Sequence, residues 1–190
     1  MTSASDAFAP LRPRLIALVK ERSFKTGDFT LASGRKSHRY FNLKPTMMTP
    51  EGGYLCALGM LAEIEALGAD YVGGLEMGAV PVVSALAAIS HARGAPVGTF
   101  FVRKAAKGHG AKQQLEGLAD DESLDGKRVI IAEDVTTTGG SALQAVEVAR
   151  AVGATVDAIV TILDREEGAR EALAEKGLAL HAVLRAPEFD

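Results

Sequence analysis

The residues best suited to chemistry in this sequence are two adjacent carboxylates followed at once by a turn of threonines, glycines and a serine. Glu133 and Asp134 come after an apolar run that starts at Val129, and the turn spans residues 136–141. A turn of this kind that leads into a helix presents backbone N–H groups, hydroxyls and the positive end of the helix dipole to an anion. Carboxylates beside a phosphate would repel it unless they face sugar hydroxyls or a hard cation such as Mg²⁺. The segment therefore predicts a site for a phosphorylated sugar carried with Mg²⁺.

This segment resembles the 5-phosphoribosyl-1-diphosphate (PRPP) binding motif of type I phosphoribosyltransferases. In that family the acidic pair binds the ribose hydroxyls, and the following loop binds the 5-phosphate. The pair is most often Asp-Asp, so Glu133 is a mild departure. An ordinary strand–turn–helix corner with solvated acids is the competing interpretation. The resemblance implies a catalytic role for Asp134 and PRPP binding by Glu133, Asp134, Val135, Thr136, Thr137, Thr138, Gly139, Gly140 and Ser141.

A second chemically promising segment is basic and lacks a regular hydrophobic period. It covers residues 103–117, which we call the lid, between two predicted strands. A long irregular connection in a compact domain is typical of a functional lid, and positive charge suits a polyanion; a solvated basic loop is the alternative. The pattern resembles the catalytic loop of orotate phosphoribosyltransferases. The resemblance implies that four catalytic lid residues reach the pyrophosphate of PRPP: Arg103, Lys104, Lys107 and His109.

The same resemblance implies a homodimer in which the lid of one subunit acts in the neighbouring site.

A glycine-rich turn between a predicted strand and helix, residues 73–81, is a third candidate for a functional segment. Its Glu76, Met77 and Gly78 would cradle pyrophosphate through backbone N–H groups at a helix N-terminus, although a tight strand–helix connection explains the pattern equally well. Some family members carry a lysine where Gly78 stands, so the resemblance implies a backbone contact here.

Residues 29–42 resemble the orotate-binding segment of the family. They contain a Ser33-Gly34-Arg35 turn between two short predicted strands, within residues 28–43. Tyr40 and Phe41 match the part of the segment that forms the base pocket. Many members have a lysine where Ala32 stands, so the role of that lysine is absent here or transferred to another residue.

Arg165 follows another predicted strand and matches the arginine of the family that meets orotate. An arginine can offer a planar, bidentate fork to a carboxylate or an imide edge. Without the resemblance, Arg165 would be interpreted as a surface residue. The resemblance also implies that Thr137 lies near the base.

The elements that must position these residues alternate between strand and helix, which indicates an α/β fold with a doubly wound, mainly parallel sheet flanked by helices. The resemblance implies the type I phosphoribosyltransferase fold. Residues 1–45 do not fit the alternation; we expect them to form a hood over the strand ends within one domain, 1–190, with the C-terminal segment as a second candidate for the hood. Glycines at helix ends suit left-handed caps: Gly68, Gly94, Gly153 and Gly177. We predict helices at 7–22, 51–67, 81–92, 141–152 and 166–176, and strands at 70–75, 96–103, 127–133, 155–163 and 179–185.

Composition narrows the possible functions. The 190 residues are 47% hydrophobic and 24% charged, as is typical of a globular domain. The net charge of −3 argues against nucleic acid as a partner. A single cysteine, Cys56, excludes an internal disulfide, and its apolar helical surroundings predict a core thiol. Without an apolar run of membrane-spanning length or a signal-peptide pattern, we predict a cytoplasmic protein with no membrane partner.

The resemblance covers residues 24–170 and implies a Mg²⁺-dependent reaction of PRPP with orotate that gives orotidine 5-monophosphate and pyrophosphate, in UMP biosynthesis. Mg²⁺ would be held mainly through PRPP. A purine or uracil phosphoribosyltransferase would share residues 129–141 but should lack the pattern of the lid. A regulator that senses PRPP without catalysis would need a nucleic-acid-binding module, for which the chain is short.

Overall fold

Helices and strands alternate along most of the chain, as the sequence predicts. The structure, a computed structural model, describes residues 2–30, 36–105 and 111–190. The helices are α1 (Ala4–Phe8), α2 (Arg12–Arg22), α3 (Lys44–Met47), α4 (Pro50–Leu67), α5 (Val80–Ala92), α6 (Gly140–Ala151) and α7 (Ala169–Ala174). The strands are β1 (Phe24–Thr30), β2 (Lys36–Phe41), β3 (Tyr71–Leu75), β4 (Gly98–Val102), β5 (Leu115–Glu116), β6 (Arg128–Thr136), β7 (Thr155–Asp164) and β8 (Ala179–Arg185).

Six of these strands form one sheet in the order β5-β4-β3-β6-β7-β8. All neighbours are parallel except β4 and β5, which are antiparallel. Helices α4 and α5 pack on one face of the sheet, and α6 and α7 pack on the other. The predicted doubly wound fold is confirmed. The order of winding reverses between β3 and β6, and in such sheets ligands bind at the carboxyl ends of the strands beside this switch point.

The two faces of β6 belong to two different cores. Ile130 and Ala132 pack in the core that contains α4 and α5, whereas Val129 and Ile131 pack in the core that contains α6. Successive side chains of a strand point to opposite faces of a sheet. The same alternation continues toward the carboxyl end of β6, where the acidic pair lies.

The N-terminal region departs from the single helix predicted at 7–22. A 3₁₀ turn at Ala9–Leu11 separates α1 from α2. Pro10 lies in this turn, and a proline lacks the N–H that a continuous helix requires. Strand β1 begins at Phe24, four residues before the predicted start. Both helices contact α4, and Arg12 at the start of α2 donates a hydrogen bond of 3.1 Å to the Val183 carbonyl in β8.

The hairpin β1–β2 forms a separate two-stranded sheet. The C-terminal segment packs against it: the rings of Phe41 and Phe189 are 5.3 Å apart, and Arg39 Nη1 lies 3.0 Å from Asp190 Oδ1. The hairpin also contacts the segment after β7, because Arg165 donates a hydrogen bond to the Arg39 carbonyl. The predicted turn at residues 33–35, together with Ala32, lies outside the described residues.

The second half of the lid contains regular structure that the sequence did not predict. Ala111–Gln114 forms a 3₁₀ turn, and β5 pairs antiparallel with β4. This pairing hydrogen-bonds the side of β4 that faces away from β3, where the strand would otherwise end the sheet. Lys107 and His109 lie outside the described residues.

Other predictions concern the helix ends. All four predicted cap glycines have positive φ values, between 69° and 92°, so these caps are confirmed. The last predicted helix, at 166–176, is shorter and covers only α7, because Gly168 with φ 96° ends the preceding segment in a left-handed conformation. Among the described helices, none has the length and apolar character needed to cross a bilayer.

Candidate active site

Strand β6 extends three residues beyond its predicted end, so the acidic pair lies inside the strand. Its pairing with β7 continues from Glu133 opposite Thr161 to Thr136 opposite Asp164. β7 is itself long enough to supply backbone partners for this extension. Because adjacent side chains point to opposite faces, Glu133 and Asp134 line two different cavities.

The first cavity lies on the face of α6 and measures about 230 Å³. Gly139 takes a left-handed conformation with φ 83°, and Gly140 begins α6. The turn therefore aims backbone N–H groups of the first turn of a twelve-residue helix at the cavity, which suits an anion. We call this the loop cavity; it is lined by Glu133, Val135, Thr136, Thr137, Thr138, Gly139, Gly140, Ser141 and Ala142.

Glu133 is almost fully buried at the wall of the loop cavity. It is 8% exposed, and its Oε1 atom has no hydrogen-bond partner among the described residues. Burial raises the pKa of the Glu133 carboxyl to about 8; the charge of Asp134 adds to the rise, and Lys104 opposes it. The Thr136 hydroxyl is also buried without a partner within the described structure. Unpaired buried polar atoms are costly, so both groups are suited to meet ligand hydroxyls.

The second cavity lies on the opposite face, beneath the hairpin, and measures about 290 Å³. We call it the base cavity; it is lined by Tyr40, Phe41, Asn42, Lys44, Asp134, Val135, Thr137 and Arg165. All four residues predicted to bind orotate are thus brought together. Val135 and Thr137 line both cavities, so the two adjoin at the end of β6.

Sequence reasoning missed two residues of the base cavity, Asn42 and Lys44. Asn42 directly follows the predicted pair Tyr40 and Phe41, and this adjacency could have suggested it. Lys44 begins α3, a four-residue helix that the sequence did not predict. Its Nζ atom lies 3.7 Å from Asp134 Oδ2. No local pattern around Lys44 indicates this contact, since Asp134 is ninety residues away along the chain.

Arg165 is buried, not a surface residue, with 6% of its side chain exposed. Its Nη2 atom lies 2.7 Å from Glu167 Oε1 and donates to Ser37 Oγ and to the Arg39 carbonyl, at 3.1 Å each. The guanidinium carbon lies 6.0 Å from the ring centre of Phe41. Arg165 therefore both lines the base cavity and fastens the hairpin to the segment after β7.

The glycine-rich turn contacts the acidic pair. A β-carbon at Gly78 would lie 2.6 Å from Asp134 Oδ1, so only a glycine fits beside this carboxylate without movement. The peptide bond between Glu76 and Met77 is cis. Glu76 accepts a hydrogen bond of 2.9 Å from the backbone N–H of Lys104. The turn thus links the acidic pair to the first residues of the lid.

The first residues of the lid lie beside the glycine-rich turn but not in either cavity. Arg103 Nη1 lies 3.2 Å from Glu116 Oε1, within the lid itself. The Arg103 N–H donates to the Gln114 carbonyl at 2.8 Å. Lys104 is exposed. The structure therefore places Arg103 and Lys104 near the predicted pyrophosphate cradle, and Arg103 points toward Glu116.

No group of three or more His, Cys, Asp or Glu side chains within the described ranges could hold a metal ion. Glu133 and Asp134 line the two adjoining cavities at the end of β6. Such an arrangement fits a hard cation that arrives with the substrate and is bound mainly by substrate oxygens.

Cavity size alone does not identify the site. A cavity of about 370 Å³ lies beyond β5 and is lined by Leu115, Leu118, Leu124 and Val152 among others. Another of about 400 Å³ lies along β8. Neither contains a residue predicted to bind PRPP or orotate, whereas the loop cavity and the base cavity contain most of the described ones.

Known proteins resemble this chain in both sequence and structure. The sequence profile of the phosphoribosyl transferase domain matches residues 63–177. The orotate phosphoribosyltransferase of Bradyrhizobium sp. (strain ORS 278) is 55% identical over 178 residues, which cover 94% of this chain and 96% of the relative. That of Aquifex aeolicus is 41% identical over 181 residues, with 94% and 97% covered. The Mycobacterium tuberculosis H37Rv orotate phosphoribosyltransferase in complex with PRPP superposes with a TM-score of 0.76, at 34% identity, with 94% and 98% covered.

Proposed function

The chain belongs to the orotate phosphoribosyltransferase family, and on that premise we propose that it transfers the 5-phosphoribosyl group of PRPP to a ring nitrogen of orotate. The products are orotidine 5-monophosphate and pyrophosphate, in the pathway to UMP. One observation carries the proposal: the loop cavity and the base cavity adjoin through Val135 and Thr137. A phosphoribosyl group and a planar base can therefore meet at the end of β6.

Different residues of the site would bind different parts of PRPP. The loop of Thr136 to Ser141 would hold the 5-phosphate with its N–H groups and hydroxyls. Glu133 and Asp134 would accept hydrogen bonds from the ribose hydroxyls, and the partnerless Oε1 atom of Glu133 supports this role. Breaking the bond at the anomeric carbon builds oxocarbenium character on the ribose. The negative charge of Asp134 would stabilise that carbon as the bond breaks.

The departing pyrophosphate needs positive charge and backbone donors. We assign this role to the glycine-rich turn at residues 76–78 and to the lid residues Arg103, Lys104, Lys107 and His109. The hydrogen bond between Glu76 and Lys104 supports a common site for the turn and the lid. Mg²⁺ bound together with PRPP would supply further neutralisation of the pyrophosphate oxygens. Closure of the lid would exclude water from the activated ribose.

We also propose a cytoplasmic homodimer in which the lid acts in the neighbouring site. The proposal rests on the resemblance of the lid to its family counterpart. Mixing two strongly impaired variants, Lys107→Ala and Asp134→Ala, tests it. If lids act across the dimer, mixed dimers contain one site with both native residues and regain part of the activity. No recovery after subunit exchange would contradict the shared site.

The reaction itself is tested by the loss of the ultraviolet absorbance of orotate in the presence of PRPP and Mg²⁺. Uracil, adenine, hypoxanthine and guanine serve as parallel acceptors, with product chromatography. Turnover of orotate alone is the expected result. Turnover of another base instead would overturn the assignment of the base cavity. PRPP binding without turnover of any base would favour a PRPP sensor.

A further inference from the structure

The base cavity contains a cation that the family resemblance does not assign. Lys44 lines this cavity with Tyr40, Phe41 and Arg165, and its Nζ atom lies 3.7 Å from Asp134 Oδ2. We propose that Lys44 binds the carboxylate of orotate and so distinguishes orotate from uracil, which lacks that group. This inference rests on the proposed function and names the residue that selects its substrate.

The cavity needs a cation because orotate brings in a carboxylate. An anion that leaves water requires a charged or hydrogen-bonding partner. Arg165 is the other cation that lines the cavity, but its Nη2 atom is already 2.7 Å from Glu167 and bonded to the hairpin. Much of the Arg165 charge is therefore balanced within the protein. The remaining lining residues of the cavity are uncharged apart from Asp134, which is negative.

The position of Lys44 matches the side of the base that carries the carboxylate. In orotate this group stands on the ring carbon next to the nitrogen that attacks the ribose, so it must lie on the ribose side of the cavity. Asp134 marks that side, since it belongs to the acidic pair proposed to bind the ribose. Lys44 lies next to Asp134.

The ion pair with Asp134 leaves Lys44 able to change partner. A separation of 3.7 Å is too long for a hydrogen bond. Half of the Lys44 side chain, 51%, is exposed, against 6% for Arg165. When PRPP occupies the site, its ribose hydroxyls would become the partners of the Asp134 carboxylate. The ammonium group would then be released to the carboxylate of the incoming base.

The backbone around Lys44 is firmly held, which suits a selective contact. Leu43 and Thr46 on either side are fully buried. The Thr46 hydroxyl lies 2.6 Å from that of Ser23 in a buried hydrogen bond. The Lys44 N–H donates to Asn42 Oδ1 at 3.3 Å. Only the side chain of Lys44 would have to move between its two partners.

The test compares Lys44→Gln and Lys44→Arg with the wild-type enzyme. Steady-state kinetics give the KM values for orotate and PRPP, and inhibition by uracil gives a constant for a base without the carboxylate. We expect Lys44→Gln to raise the KM for orotate about 10- to 100-fold, as for loss of one charge-assisted hydrogen bond. The KM for PRPP and the uracil inhibition constant should stay within about twofold. Lys44→Arg should restore most of the orotate affinity.

Lys127→Gln is the matched control, because Lys127 is an exposed lysine before β6, at the end opposite the site. It should behave as wild type, and thermal unfolding should show that all variants are folded. An unchanged orotate KM in Lys44→Gln would overturn the inference. Equal increases for orotate and uracil, or an increase for PRPP alone, would also overturn it, since Lys44 would then serve cavity shape or the ribose. If the wild-type enzyme does not use orotate at all, the proposed function fails and the inference falls with it.

Discussion

Gly78 and Asp134 are in such close contact that a side chain at position 78 would overlap the Asp134 carboxylate. A β-carbon there would lie 2.6 Å from one carboxylate oxygen of Asp134 and 2.9 Å from the carboxylate carbon. The carboxylate accepts a hydrogen bond of 2.9 Å from the Val135 N–H, so it is held on the other side as well. The glycine-rich turn thus limits where the proposed ribose-binding carboxylate can lie.

Gly78→Ala should therefore displace the Asp134 carboxylate. A displacement of this kind at a reacting centre typically costs on the order of 100-fold in rate, so we expect kcat/KM for PRPP to fall about 10- to 100-fold. Steady-state kinetics with saturating orotate measure the change. The control is a double-mutant cycle: in an Asp134→Ala background, Gly78→Ala should cost almost nothing more, because the obstructing atoms are gone. Independent, additive losses would contradict the steric explanation.

Glu133 should make stability depend on pH in one direction. Burial raises the pKa of its carboxyl from 4.5 to about 8, so the folded state binds a proton that the unfolded state releases. The contribution of protonated Glu133 to the free energy of unfolding is complete below the unfolded pKa of 4.5. It is lost as the pH rises from there through the folded pKa of about 8. The free energy of unfolding should fall by at most about 1.4 kcal/mol per pH unit in this window. Glu133→Gln should remove that dependence, as measured by urea unfolding from pH 5 to 9.

Glu51→Gln is a useful contrast for that series. The hydrogen bond and charge of Arg14 lower the pKa of the exposed Glu51 carboxyl. Its contribution is therefore present above the unfolded pKa and lost as the pH falls through the folded one. Glu51→Gln should alter the unfolding curve at pH 7 more than at pH 3. A Glu133→Gln protein with the same pH slope as wild type would show that Glu133 is ionised in the folded state.

Cys56 should be chemically inert while the protein is folded. The thiol is fully buried in α4, and burial raises its pKa to about 12. Thiolate, not thiol, is the reactive form. A colourimetric disulfide reagent should label the native protein only as fast as it unfolds, and should label it at once in guanidinium chloride. Cys56→Ala should retain kcat; rapid labelling of the native protein would contradict the buried position.

Arg165→Lys should affect both the base cavity and the hairpin. A lysine keeps the charge, but it lacks the rigid, planar guanidinium that directs Nη2 of Arg165 to Glu167, Ser37 and the Arg39 carbonyl. We expect a drop in kcat/KM for orotate of about tenfold or more and a lower melting temperature. Arg185→Lys is the matched control, since Arg185 is 57% exposed and lies 3.8 Å from Glu166. Equal effects of the two substitutions on kcat/KM and on the melting temperature would contradict the assignment of Arg165 to the base cavity.

The amino-acid sequence by itself determined the elements whose signals are local. The β-branched run of β6, the threonine and glycine turn and the start of α6 follow one another within fifteen residues, so their order and chemistry can be interpreted directly. The four cap glycines were predictable for the same reason: a left-handed residue after a helical period favours glycine. Pro10 and Pro13 indicate the break between α1 and α2, whereas the apolar period alone predicts one continuous helix.

Only the tertiary structure decided which distant residues meet. The order of the sheet brings β3 beside β6, and Gly78 thereby comes to lie against Asp134, fifty-six residues further along the chain. The hairpin brings Tyr40 and Phe41 to Arg165, and α3 brings Lys44 to Asp134. Hydrophobic periodicity reports which face of an element is buried but not which element covers it. The acidic pair illustrates both points. Its two side chains are evident as neighbours in the sequence. In the fold, strand alternation points them to opposite faces of the sheet, and the helices and the hairpin that pack on these faces place them in two separate cavities.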